Sequence, residues 1–62
     1  MKNEKEILKQ VLFENACDDL YYGYGFSAFL EFENDRKNTE LFTMEELKEI
    51  WENAINKMSE EV

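Results

Sequence analysis

The sequence predicts an α+β fold: one small domain, residues 1–62, in which a β-hairpin lies between two helices packed on one face of a short antiparallel sheet (helix–β-hairpin–helix, α-β-β-α). Three observations predict it. Apolar residues recur at helical period near both ends of the chain, they alternate with period two in between, and a glycine pair and a polar cluster separate these stretches.

The first helix is expected over about residues 4–20. Ile7, Leu8, Val11 and Leu12 have the i, i+1, i+4, i+5 spacing of a helical face, which Ala16 and Leu20 extend. Beyond residue 14 the face blurs, because Phe13 and Cys17 lie well round the helix from Leu8 while the polar Asn15 and Asp19 fall on the face that Leu8 and Leu12 define. Gly23 and Gly25, the chain's two glycines, mark the main break.

From Phe26 the period changes to two. Phe26, Ala28, Leu30 and Phe32 point one way, and Ser27, Phe29, Glu31 and Glu33 the other, so strands are expected at about 26–33 and 39–42 with the first of these sets toward the core. The polar run Asn34-Asp35-Arg36-Lys37-Asn38 supplies a hairpin loop, though one without glycine. A helix over 27–33 is the competing reading, since Ala, Leu and Glu tolerate both states. The last element, about residues 44–60, has the clearest signature. Thr43 and Glu46 form a capping box, and Met44, Leu47, Ile50, Trp51, Ala54, Ile55 and Met58 follow as an apolar stripe.

Composition restricts the function classes. A chain of 62 residues buries roughly 60% of the surface its unfolded form exposes, so outside help from a disulfide, a metal, a partner or a second copy is expected. With Cys17 the single cysteine and no histidine, an intrachain disulfide and a mixed Cys/His zinc site are excluded. The formal net charge of −8 repels phosphate backbones and anionic lipid, which argues against direct nucleic-acid or membrane binding and favours a basic protein as partner. No apolar run resembles a signal peptide or a membrane span, so a cytoplasmic protein is expected.

Two groups of residues are candidate partner contacts. Glu45, Glu49, Glu52 and Glu60, with Asn56 among them and Glu46 at the margin, fall opposite the apolar stripe of the last helix and form an acidic ridge. Its carboxylates repeat every few residues along the axis, so the ridge could stand in for a nucleic-acid strand; the plainer reading is a solvated helix face. The second group is the aromatic run Tyr21, Tyr22, Tyr24 and Phe26 around the two glycines, which suits a contact loop or caps the core. Phe29, on the outer face of the first strand, is a further contact candidate beside Phe42 or a buried residue under the first helix.

Catalytic signals are weak. Asp18-Asp19 and the strand pair Glu31/Glu33 are the carboxylate candidates, residues 34–40 lack the pattern of a calcium loop, and Cys17 has no visible activating cation. No enzyme activity, cofactor or metal is therefore predicted. Two functions remain in view. One is an inhibitor or regulator that blocks the nucleic-acid site of a basic partner, in the style of short acidic phage or mobile-element proteins of the anti-CRISPR or anti-restriction type. The other is a homo-oligomeric structural or adaptor protein, a homodimer in its simplest form, with an ridge that merely solvates.

Overall fold

A computed structural model describes residues 3–60, which form three α-helices: α1 (Glu4–Tyr21), α2 (Phe26–Asp35) and α3 (Met44–Glu60). The predicted hairpin is absent: the residues expected as a first strand form α2, those expected as a second lie in turn and irregular structure, and no strand occurs among the described residues. The fold is all-helical, not α+β.

Each helix has a local reason for its limits. Asn3 caps α1, its side chain accepting from the Glu6 N–H at 2.9 Å, and Glu4 and Glu6 sit favourably at the positive end of the dipole. The capping box of α3 forms as predicted: the Thr43 N–H donates to Glu46 Oε1 at 2.8 Å and the Glu46 N–H donates to Thr43 Oγ1 at 3.2 Å. Both α1 and α2 end in the same two-bond motif. In α1 the Gly23 and Tyr24 N–H groups return to the Leu20 and Asp19 carbonyls, and in α2 the Lys37 and Asn38 N–H groups return to Asn34 and Glu33. That motif needs a left-handed residue, and Gly23 (φ 89°) and Lys37 (φ 61°) occupy the position.

α1 packs chiefly against α3, and the two run in the same direction. Lys5 near the start of α1 meets Glu46 in the first turn of α3, while Cys17 and Tyr21 share a groove with Lys57 and Met58 at the other end. α2 bridges them, bonded to α1 through Asn15 and Glu33 and stacked on α3 through its rings. The core consists of Leu12, Ala16, Phe29, Leu47, Ile50, Trp51 and Ala54, with Phe26, Phe29 and Trp51 mutually 5.1–6.1 Å apart between ring centroids.

The core corrects the predicted faces. Phe29, placed on an outer strand face, is wholly buried against Trp51. A helix brings Phe26, Phe29, Leu30 and Glu33 to one side, and the period-two reading separated them. On α1 the buried strip is Leu12 and Ala16, flanked by half-buried Leu8, Phe13, Cys17 and Leu20, whereas Ile7 and Val11 face solvent. The strip sits further round the helix than predicted because α1 contacts two neighbours at once.

Candidate functional site

The last helix presents its acidic side without obstruction. Glu45, Glu49, Glu52 and Glu60 are all exposed, as is Asn56 between them, on the face turned away from Leu47, Ile50, Trp51 and Ala54. From Glu45 to Glu60 the ridge spans about 22 Å at 1.5 Å per residue, most of a molecule whose longest dimension is 32 Å. Four carboxylates over that length, with the exposed Lys48 at the margin between Glu45 and Glu52, give less than half the linear charge density of one nucleic-acid strand, at ~3.4 Å per charge. Glu46 leaves the ridge. Its Oε2 accepts from Lys5 Nζ at 2.8 Å, and that bond together with the Thr43 N–H holds its carboxyl below the usual glutamate range.

The three tyrosines stand at the α1–α2 turn and all are exposed, Tyr21 and Tyr22 by nearly three-quarters. Tyr21 and Tyr22 meet edge to face at 5.2 Å, and Tyr24 meets Phe32 in the same way at 5.3 Å. Phe26, the fourth aromatic of the run, turns inward onto Phe29 and Trp51. The run is therefore divided, with one ring completing the core and three remaining outside it.

Tyr21 shares a groove with the C-terminal part of α3. An open groove of about 390 Å³ lies between the C-terminal halves of α1 and α3, lined by Phe13, Glu14, Cys17, Asp18, Tyr21, Lys57 and Met58. Lys57 is one turn from Glu60, so the groove lies at the same end of α3 as the last carboxylate of the ridge. Sequence reasoning did not assemble this groove. The signal was present in Phe13 and Cys17, one turn apart and off the Leu8 face, with Tyr21 a further turn on.

A second cluster was also missed. Glu33 is wholly buried, and its carboxylate is met by three donors: Asn15 Nδ2 at 3.0 Å and Asn38 Nδ2 at 2.8 Å on Oε1, and Arg36 Nη1 at 2.6 Å on Oε2. An unpaired buried carboxylate costs several kcal/mol, which explains why so many donors converge. Asp19 lies nearby with its Oδ2 shielded from solvent and without a hydrogen-bond partner among the described residues. Its carboxyl is pushed above the usual aspartate value, first by burial and then by the charge of Glu33, against an opposing pull from Arg36 and with a smaller push from Asp18. The Glu31/Glu33 pair read as neighbours on one strand face is split, Glu31 exposed and Glu33 inside.

Chemically, the surface offers carboxylates, tyrosine rings and a shallow apolar floor. Among the described residues no three His, Cys, Asp or Glu side chains are placed to hold a metal ion, and no helix is long and apolar enough to cross a membrane. The fold and its surface define a three-helix domain with an acidic face and an aromatic turn. No family model, curated protein or solved structure matches the chain.

Proposed function

We propose that this is a small acidic protein-binding domain that occupies the nucleic-acid site of a basic partner, an inhibitor of the anti-restriction or anti-CRISPR type acting in the cytoplasm. The observation that carries the reading is the ridge: Glu45, Glu49, Glu52 and Glu60 are all exposed along one helix. The carboxylates steer approach to a basic groove and select against other partners, while the exposed tyrosines supply apolar contact area that desolvated charges do not.

The test is competition. The protein is titrated into DNA complexes of a panel of restriction and CRISPR effector nucleases at low salt, beside the triple variant Glu45→Lys, Glu49→Lys, Glu52→Lys. Displacement of DNA from one effector near stoichiometric protein is expected, with association slowed about tenfold or more in the variant and the difference shrinking as salt rises. Equal association by the variant removes the ridge from the mechanism.

A second reading, a self-associating structural or adaptor protein, is favoured by a different observation. Ile7 and Val11, one turn apart on α1, are 53% and 38% exposed. A second copy could cover them.

A further inference from the structure

The groove at the aromatic end has a chemistry the ridge lacks. Its floor is the half-buried Phe13, Cys17 and Met58, Tyr21 stands at its end, and Glu14 and Asp18 lie on successive turns of α1 at its rim. These two exposed carboxylates are at i, i+4, an arrangement that is mildly repulsive within an isolated helix. Facing them from α3 is Lys57, so the lining carries two negative charges to one positive. An apolar floor beside an aromatic ring and a pair of carboxylates matches a side chain with an aliphatic stem and a flat cationic head.

We infer that this groove is the anchor point for an arginine side chain of the basic partner, its stem on Phe13 and Met58 and its guanidinium between the Tyr21 ring and the Glu14/Asp18 carboxylates. The inference rests on the proposed docking to a basic protein and names the contact that fixes register there. Arginine fits better than lysine because its planar guanidinium stacks on tyrosine and gives up less hydration than an ammonium ion. A second copy of this chain is a poor donor. Its single arginine, Arg36, already bonds Glu33 at 2.6 Å, and withdrawing it would leave a buried carboxylate short of a donor. A nucleic acid would bring phosphate against Glu14 and Asp18.

The experiment uses the full chain, isotopically labelled, titrated at low salt with nona-arginine and separately with nona-lysine, followed by NMR. Expected are shift changes at Phe13, Cys17, Tyr21 and Met58 with nona-arginine, tighter binding than with nona-lysine, and about a tenfold loss of affinity in Tyr21→Ala and in Glu14→Gln/Asp18→Asn. These substitutions lie on the exposed surface, and thermal melts check that the variants fold. In Glu45→Gln/Glu49→Gln/Glu52→Gln the groove shifts should persist. Equal affinity for both peptides, with shifts confined to the ridge, overturns the arginine anchor and leaves the acidic-ridge reading standing; no binding of either peptide overturns both. Groove shifts that grow with protein concentration in the absence of peptide assign the groove to a second copy and likewise overturn the inference.

Discussion

Asp19, half-buried, and Glu33, wholly buried, are neighbouring carboxylates, and they are treated differently. Glu33 takes all three nearby donors, so its charge is compensated; Asp19 Oδ2 has none. Because the folded state holds the Asp19 proton more tightly than the unfolded chain does, this group contributes stability that is fully present below the ordinary aspartate pKa and is lost as pH rises through the raised folded value. Ionised Asp19 is thus a liability near neutral pH. Asp19→Asn removes the charge while keeping the shape, so thermal melts should show the variant more stable than the parent at neutral pH, with the difference shrinking as pH falls toward the ordinary aspartate value. A variant less stable by the same margin at every pH would mean that the carboxylate contributes something the amide cannot replace.

Two helices end through the same hydrogen-bond motif with different residues at its left-handed position, Gly23 in one and Lys37 in the other. A non-glycine residue there is strained by roughly 1–2 kcal/mol, against which glycine loses roughly 0.5–1 kcal/mol of extra chain entropy on folding. Lys37→Gly should therefore stabilise the domain by about 0.5–1 kcal/mol, a rise in melting temperature of about 4–8 °C for a chain this size. Gly23→Ala is the opposite experiment and should destabilise; the two changes moving Tm in the same direction would refute the account. The same contrast explains what the sequence made legible. α1 announced its end with glycine and α3 its start with Thr43 and Glu46, and both helices were read near their true limits. α2 corresponds to the competing helical reading of 27–33, and two features weakened that reading: its end carries lysine where glycine would signal a stop, and Glu33, at the seventh position after Phe26, is a charge where the apolar helical period needs a hydrophobe. With that position counted as polar, the alternation of Phe26, Ala28, Leu30 and Phe32 was the stronger pattern, and Phe29 went to the wrong face. The exposure of Glu45, Glu49, Glu52 and Glu60 needed nothing but the period of α3, whereas the Lys5 bond that draws Glu46 away and the groove both depend on how α1 lies against α3, which no single helix encodes.

For the molecule as a whole, the question is whether one chain closes its own core. A domain of this length is expected to be marginal, below about 5 kcal/mol without added support. Here the chain closes a small core of its own: Phe29 and Leu12 have no exposed surface, Trp51 is 8% exposed, and Phe26 supplies a further ring to the same cluster, while Leu41, Met44 and Ile55 stay exposed, as do Ile7 and Val11. Burying side chains of this size contributes roughly 1.5–3 kcal/mol each, so α2, expected as a hairpin, instead adds two rings to the core that α1 and α3 share. The exposed Ile7 and Val11 lie outside this cluster. We therefore expect a melting temperature that does not change over about two decades of protein concentration, and that rises with added salt as the repulsion among charges totalling −8 is screened. A Tm that climbs with concentration, and stops climbing in Ile7→Lys/Val11→Lys, would instead show that a second copy completes the fold, and the self-associating reading would displace the inhibitor.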